Sequence, residues 1–145
     1  MEDICWRIAR YMREHDKVAV AYNMEIQEIA PGRAVVSMVI REDMLNAAGV
    51  THGAVTYSLA DFAFALAANS HGQVALAIST SISYPAPSRV GDTLTATAVE
   101  EALTRRTGLY RVEVRRTDGA LVGLFTGTVF RRDDQILELL GREGA

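Results

Sequence analysis

The sequence predicts one α+β domain in which a six-stranded antiparallel sheet wraps around a single buried helix. Three observations lead to this fold class. Residues 53–69 are apolar on nearly every side, which is typical of a buried helix. Two segments that alternate in polarity precede this stretch and four follow it, and their short connections favour antiparallel pairing. The length of 145 residues fits a single domain. All of residues 1–145 are therefore assigned to it.

An amphipathic N-terminal helix is predicted within residues 1–18. Ile4, Ile8 and Tyr11 recur at helical spacing over residues 2–14, so one side of this segment is apolar. We expect the helix to pack that side on the domain.

The next two elements are predicted as a pair of strands. Residues 20–30 and 33–41 carry the strand pattern, and Pro31-Gly32 between them is a turn dipeptide. A loop over residues 42–51 then leads to the central helix.

The central helix is predicted over residues 53–69 and ends in turn chemistry at Gly72. Between Asp43 and Arg89 the only Asp, Glu, Lys or Arg is Asp61. The helix has a main apolar stripe and a second stripe of small and aromatic residues that includes Asp61. The main stripe is Val55, Leu59, Phe62 and Leu66, and the second is Ala54, Tyr57, Asp61, Ala65 and Ala68.

Four further strands are predicted, followed by a short amphipathic C-terminal tail within residues 133–145. In the first of them, Val74, Leu76, Ile78, Ile82 and Tyr84 are expected on one face, with only Ala and Ser opposite. A face of such small residues leaves room for a helix or a ligand to approach closely. The four strands are residues 74–84, 92–101, 108–117 and 120–131, with a tight turn at 117–119.

Composition excludes several classes of protein. The net charge of −3 argues against a nucleic-acid-binding protein. No apolar run approaches the roughly 20 residues of a membrane span, and the charged N-terminus has no signal core. The single cysteine, Cys5, fits a reducing cytoplasm, where we expect the protein to be located. His15, His52 and His71 show no metal-ligand spacing, so no metal site is predicted.

Asp61 is the strongest candidate for a functional residue. A buried carboxylate without a partner costs several kcal/mol, so a chain that keeps one usually uses it. Just upstream, Asn46, His52 and Gly53 supply a polar side chain, an imidazole and glycine backbone where the helix begins. Together they suggest a catalytic carboxylate that faces a helix N-terminus.

The segment from Asn46 through Gly49 to His52-Gly53, followed by Leu-Ala-Asp61, resembles the signature of hotdog-fold thioesterases. It is most similar to the phenylacetic-acid-degradation subgroup of acyl-CoA thioesterases, and the likeness covers about residues 20–131. The second glycine of the family's His-Gly-Gly is Ala54 here. Ala77 stands where some relatives carry a functional serine.

The resemblance implies a hotdog fold and hydrolysis of an acyl-CoA thioester, with a phenylacetyl-type or medium-chain acyl group favoured. The Gly53 N–H would stabilise the oxyanion, and Asp61 would act as general base or as nucleophile. Asn46 would orient water or the carbonyl, and His52 would position the thioester. Coenzyme A is part of the substrate, so no further cofactor is expected.

Substrate-binding residues and an oligomer are also implied. Acyl-CoA would be the small-molecule partner, and the residues expected to bind it are Tyr57 and Phe64 for the acyl group and Arg89, Arg105 and Arg106 for the phosphates. In the family, Asp61 of one chain faces the His52-Gly53 turn of a second, and the dimers commonly pair into tetramers. His52 and Asp61 are nine residues apart, about half a turn out of phase on one helix, which fits a site built from two chains.

Two other functions stay open at the level of sequence. One is a hotdog dehydratase or hydratase, although the acid and histidine pair of those enzymes is not seen. The other is a binding or sensing protein without catalysis. The roughly 18 residues before the first predicted strand are too few for the DNA-binding module that a sensing regulator carries.

Overall fold

The protein is described by a computed structural model covering residues 3–143, with side chains to residue 139. Residues 1–2 and 144–145, at the outer ends of the predicted N-terminal helix and C-terminal tail, lie outside the described residues. The chain forms one antiparallel sheet, four α-helices and a short 3-10 turn among these residues. The helices are α1 Ile4–His15, α2 Lys17–Ala21, α3 Gly53–Asn69 and α4 Ile136–Glu143, and the 3-10 turn is Glu42–Met44.

The sheet has the six strands that the sequence predicted, in the order β1-β2-β4-β5-β6-β3. Every neighbouring pair in it is antiparallel. The strands are β1 Glu25–Ala30, β2 Arg33–Val39, β3 Gln73–Ser83, β4 Thr93–Leu103, β5 Thr107–Arg116 and β6 Leu121–Gln135. Strand β3 follows α3 directly and forms one edge of the sheet, so its outer hydrogen-bonding groups have no strand partner among the described residues.

Helix α3 lies against the sheet and forms the centre of the core. Its bounds match the prediction, because His52 caps its first turn and Gly72 adopts a left-handed φ of +97° after its end. Leu59 and Phe64 are buried, and Phe64 packs against Tyr110 and Phe125 of the sheet. The side of α3 that includes Tyr57, Ser58, Asp61 and Ala65 is only partly covered.

The segment before the sheet differs from the prediction, because residues 20–24 are not strand. Asp16 accepts hydrogen bonds from the N–H groups of Val18 and Ala19 and so starts helix α2. Asn23, at a φ of +51°, ends the segment, and β1 begins at Glu25. The alternating Val and Ala residues of α2 resemble a strand, but the aspartate cap favours a helical turn.

Strand β3 also differs in how its side chains face. A bulge between Ala77 and Ser79 interrupts the alternation. As a result Leu76 lies opposite Phe130 on the outer face, while Ile82 lies opposite Phe125 on the core face. The single apolar face predicted for this strand is therefore wrong.

The last strand is longer than predicted. Its ladder with β3 continues to the pair Gln73–Gln135, so the strand extends four residues beyond the predicted end at 131, and residues 133–135 are strand and not tail. Helix α4 follows directly, and its Ile136 packs against Ile8 of α1 and Val74 of β3.

Within residues 3–143, no helix combines the length and the apolar character that a membrane span needs.

Candidate active site

The N-terminus of α3 is capped on one side and open on the other. The Nδ1 atom of His52 accepts a hydrogen bond of 3.0 Å from the Ala54 N–H, and the His52 carbonyl accepts one of 2.9 Å from Val55. The Gly53 N–H has no acceptor among the residues that the structure describes. A helix N-terminus concentrates about half a positive charge, so this N–H is a free donor in a positive field.

The loop before α3 is held by Asn46. Its Oδ1 atom accepts hydrogen bonds from the N–H groups of Ala48 and Val50, at 2.9 and 3.3 Å. Gly49 supports this turn with a φ of +80°. The side-chain amide of Asn46 makes no hydrogen bond within residues 3–143, so it stays available as a donor. Asn46 therefore braces the loop and still presents two N–H bonds.

A second loop is tied to the start of α3 by two hydrogen bonds. The Thr51 N–H donates to the Ser88 carbonyl at 2.9 Å, and the Ser88 hydroxyl donates to the Thr51 hydroxyl oxygen at 2.6 Å. Both side chains are buried. Arg89 follows at the surface, and its guanidinium makes no hydrogen bond or ion pair with any described residue. The tie thus holds a free cation near the helix N-terminus.

A cleft of about 410 Å³ opens between these loops and the first turn of α3. Asn46 and Gly53 are among its walls, and Tyr84 lies directly over Gly53. The remaining lining residues are Val50, Thr51, Thr56, Pro85, Ala86, Pro87, Ser88 and Val122. Apart from the polar groups at the helix start, this cleft is mainly apolar, as small-molecule sites usually are.

Asp61 lies half-buried in the middle of α3, in a smaller cleft of about 110 Å³ beside Asp16. Its carboxylate makes no hydrogen bond or ion pair within the described part of the chain. Burial raises the pKa of Asp61 above its ordinary value, and repulsion by the Asp16 carboxylate raises it further. A carboxylate with a raised pKa and free oxygens is suited to accept a proton or to attack a carbonyl.

One chain does not bring Asp61 and the free Gly53 N–H together. Eight residues at 1.5 Å per residue separate them by about 12 Å along the helix axis. His52 precedes the helix as its cap, and its side chain folds back onto the Ala54 N–H at the end of α3 away from Asp61. A single substrate carbonyl cannot contact both groups of the same chain.

The two aromatic residues predicted to bind the acyl group have different surroundings. Tyr57 is half-buried beside Asp61, and its hydroxyl forms a hydrogen bond of 2.7 Å with the Thr80 hydroxyl. Phe64 is 1% exposed and belongs to the core. A Cβ on Gly127 would come within 2.7 Å of the Phe64 ring, which leaves no room for a ligand on that side.

Arg105 and Arg106 lie at the other end of the domain from Gly53. They occupy the β4–β5 turn, near the start of β3 and the end of β6, whereas Gly53 begins a helix about 25 Å long that ends just before β3. Arg106 donates two hydrogen bonds to Asp133, at 2.9 and 3.1 Å, and these raise the pKa of Arg106. Arg105 is 4.0 Å from the same carboxylate. The structure does not bring these two arginines to the cleft of their own chain.

Sequence reasoning missed Tyr84 and Asp16 as residues of the site. Tyr84 had one signal, its position just before the strand-ending Pro85. Asp16 had another, since an aspartate before Val-Ala-Val-Ala is a helix cap signal. Neither signal indicates which distant residue the side chain contacts. Ala77, where the resemblance led us to consider a serine position, is exposed on β3. In residues 3–143 no three His, Cys, Asp or Glu side chains cluster in a way that could hold a metal ion.

Comparison with known proteins identifies a family. The model of the thioesterase superfamily matches residues 48–123, a stretch that includes the start of α3, Asp61 and the Tyr84 loop. The acyl-coenzyme A thioesterase PaaI of Escherichia coli K12 is 39% identical over 131 residues, which are 90% of this chain and 94% of that protein.

Solved structures give the same result. The structure of the E. coli PaaI protein from the phenylacetic acid degradation operon superposes with a TM-score of 0.89 at 38% identity, covering 91% of this chain and 96% of that one. A hypothetical thioesterase from Streptococcus pneumoniae TIGR4, solved with coenzyme A, gives a TM-score of 0.80 at 25% identity, covering 86% and 98%. The fold and the sequence therefore point to one family.

Proposed function

The chain belongs to the thioesterase superfamily, and we propose that it hydrolyses an aryl- or medium-chain acyl-CoA thioester to the free acid and coenzyme A. The observation that carries the proposal is a pair of unsatisfied groups on one helix. The Gly53 N–H lacks an acceptor, and the half-buried Asp61 carboxylate lacks a donor, among the described residues. Thioester hydrolysis needs one of each, a donor for the oxyanion and a base or nucleophile for the attack.

Gly53 supplies the oxyanion donor in this proposal. Negative charge develops on the carbonyl oxygen as the thioester is attacked, and the positive end of α3 stabilises it. One such donor is typically worth about 3–4 kcal/mol of barrier, or roughly 10²–10³ in rate. The free N–H at the wall of the larger cleft supports this assignment.

Asp61 supplies the second group, either by activating water or by attacking the thioester carbonyl itself. In the first route it takes the proton of the attacking water, the C–S bond then breaks, and the departing thiolate of coenzyme A takes up that proton. In the second route the carboxylate attacks the carbonyl, the C–S bond breaks with release of coenzyme A, and water then cleaves the resulting mixed anhydride to the free acid and the regenerated carboxylate. Its raised pKa suits the proton transfer, and its free oxygens suit both routes.

The site is proposed to form between two chains. Gly53 and Asp61 lie about 12 Å apart along their own helix, so a partner helix has to supply the second group. The hydrogen bond between Tyr57 and Thr80 joins the partly covered side of α3 to the edge strand β3, so a second chain could pack on both. A symmetric dimer would then hold two equivalent sites. A tetramer made of two such dimers stays a prediction from the resemblance.

Asn46 and His52 take supporting roles. Asn46 lines the larger cleft, and its free side-chain amide is available there to donate to substrate or water. His52 holds the first turn of α3 through Nδ1, which keeps its Nε2 atom free for the thioester. Tyr57, beside Asp61, is placed along the acyl group. Phe64 acts from the core, by supporting the position of α3.

Arg89 is the proposed contact for the coenzyme A phosphates. Its guanidinium is free among the described residues, and its loop is tied to Thr51 at the start of α3. Arginine binds phosphate through paired donors. Arg106 is paired with Asp133, and Arg105 is near the same carboxylate, so we place both second to Arg89 in this role.

The acyl group is proposed to be of the phenylacetyl type. The similarity to PaaI, a protein of a phenylacetic acid degradation operon, favours an aryl group. The larger cleft, with its mainly apolar lining, has a volume suited to a small aromatic acyl group.

A panel of aryl- and fatty-acyl-CoAs tests the function, with free thiol as the readout. Burial and the neighbouring Asp3 raise the pKa of Cys5, the one cysteine of the chain, so the protein adds little to the thiol signal. We expect thiol release that is fastest with phenylacetyl-type substrates, no release from Asp61→Ala, and normal release from Asp43→Ala, an exposed aspartate paired with Arg41.

Other outcomes would identify the other functions. Tight binding of acyl-CoA without thiol release would indicate a sensing protein. Loss or gain of water across a double bond, with the thioester intact, would indicate a dehydratase or hydratase. Either result would contradict the proposed hydrolysis.

A further inference from the structure

Tyr84 joins the end of strand β3 to the beginning of helix α3. It follows Ser83, the last residue of β3, and precedes Pro85. Its hydroxyl donates a hydrogen bond of 2.9 Å to the carbonyl of Gly53, across 31 residues of sequence. The side chain is 48% exposed, so one side of the ring borders the larger cleft while the hydroxyl end is anchored.

The ring of Tyr84 fills the space beside the Gly53 Cα atom. A Cβ at position 53 would lie 3.2 Å from both the Cζ and the Oη atom of Tyr84, closer than side-chain carbons normally approach. A side chain at position 53 would therefore have to push the Tyr84 ring aside by a few tenths of an ångström. The two residues fit closely as a pair.

We propose that Tyr84 is a positioning residue for the oxyanion donor. It acts on the Gly53 N–H indirectly, by fixing the first peptide of α3. The first turn of a helix is its most easily frayed part, because its N–H groups lack partners. The hydrogen bond from Tyr84 holds the Gly53 carbonyl from outside the helix, and the ring lies beside the Gly53 Cα atom, so both restrict the rotation that would turn the Gly53 N–H. The free N–H then keeps one direction toward the cleft. This inference rests on the proposed role of Gly53 in hydrolysis.

The phenol is suited to this role at all ordinary pH values. Burial raises the pKa of Tyr84, and the neighbouring Tyr57 raises it further, so the hydroxyl keeps its proton and remains a donor. Glycine has more backbone freedom than any other residue, which makes an external restraint at position 53 effective.

The variant Tyr84→Phe tests the proposal, because it removes the hydroxyl and keeps the ring. We expect kcat to fall about 3- to 10-fold, the effect of one hydrogen bond, while KM changes less than about twofold. Tyr22→Phe is the matched control, since Tyr22 lines a separate cleft with Arg41 over its ring, and it should leave both constants unchanged. A kcat for Tyr84→Phe equal to that of the parent would overturn the proposal.

A double-mutant cycle with Gly53→Ala separates positioning from a general structural role. Both changes disturb the same contact, so we expect the double variant to lose less activity than the product of the two single losses. Independent, multiplicative losses would contradict a shared contact. The unfolding temperatures of Tyr84→Phe and Tyr22→Phe should be similar, because the positioning effect concerns kcat.

An NMR measurement on the Gly53 amide tests this inference separately from the proposed function, because it does not require hydrolysis. Should the parent fail to hydrolyse any acyl-CoA, the function is wrong, and the NMR order parameter of the Gly53 amide still reports on the restraint. A lower order parameter at Gly53 in Tyr84→Phe than in the parent supports the restraint by Tyr84. Equal order parameters in the two proteins would refute it.

Discussion

Asp16 and Asp61 line the same cleft of about 110 Å³, between the start of α2 and the middle of α3. The other described residues that line it are Val18, Tyr57, Ser58 and Phe62, none of which carries a positive charge. Burial raises the pKa of Asp61, and the negative charge of Asp16 adds to the effect. The protonation of the proposed catalytic carboxylate is thus coupled to a residue outside its own helix.

Asp16→Asn should shift the acid limb of the kcat/KM pH profile to lower pH. The amide oxygen of Asn can still accept the N–H groups of Val18 and Ala19, so the cap of α2 is kept and only the charge is lost. Without the repulsion from position 16, Asp61 loses its proton at a lower pH and becomes active there. Asp43→Asn, a change at an exposed aspartate, should leave the limb in place. A limb that is unmoved or shifted upward in Asp16→Asn would exclude this coupling.

Asp61→Asn should abolish hydrolysis and stabilise the fold at neutral pH. The raised pKa means that the folded protein favours the neutral carboxyl. The stability that the parent gains from a neutral Asp61 is therefore fully present below the pKa that Asp61 has in the unfolded protein. It is lost as the pH rises through the higher pKa that Asp61 has in the folded protein. We expect the variant to unfold about 2–4 °C higher at neutral pH, with the difference vanishing at acidic pH. Calorimetry over a pH series measures the unfolding temperatures of the parent and the variant at each pH. A lower unfolding temperature for the variant at neutral pH would contradict the unpaired state of Asp61.

Gly53→Pro should remove the oxyanion donor with little change to the helix. Proline is accepted at the first helical position, and the ψ of 135° at His52 suits a residue before proline. Gly53→Ala is the matched variant, because it adds a Cβ against Tyr84 in the same way but keeps the N–H. We expect kcat of the Pro variant to be about 10²–10³ below that of the Ala variant. Equal kcat values would mean that another group binds the oxyanion.

Arg89→Ala should weaken substrate binding through the phosphates. We expect KM for acyl-CoA to rise about 3- to 10-fold at low salt, and the difference to shrink as salt screens the charge. Arg132→Ala removes an arginine that pairs with Asp134 at the other end of the sheet, and its KM should stay within about twofold of the parent. Equal changes of KM in the two variants would mean that Arg89 does not bind the phosphates of coenzyme A.

The central part of the fold could be predicted from the sequence because local signals agree there. Residues 53–69 are apolar on nearly all sides, begin after a capping His52 and end before Gly72, and the helix has those bounds. The errors occur where the structure depends on contacts or irregularities. The Asp16 cap makes a helix of a Val-Ala alternation, and the bulge at Ala77 moves Leu76 to the outer face. The pattern of polar and apolar residues alone predicts neither the helix that Asp16 caps nor the bulge.

The part of the candidate site that could be predicted is the part that lies within one segment of the sequence. Asp61 stands out because it is the only Asp, Glu, Lys or Arg among the 45 positions between Asp43 and Arg89. Gly53 stands out because it starts the same helix. Tyr84 contacts Gly53 from a different strand, 31 residues away, so no local pattern indicates it. Likewise Arg106 forms an ion pair with Asp133, which is 27 residues away, and the sequence alone does not indicate this pairing.

Mixing two inactive variants tests the central claim, a site shared by the Gly53 N–H of one chain and Asp61 of another, most directly. Asp61→Ala and Gly53→Pro chains are unfolded together, refolded as a mixture and assayed for thiol release. Half of the dimers should be mixed, and each mixed dimer has one site with both residues intact, so we expect about a quarter of the parent activity to return. No activity above that of the separate variants, in a mixture shown to contain mixed dimers, would contradict the shared site.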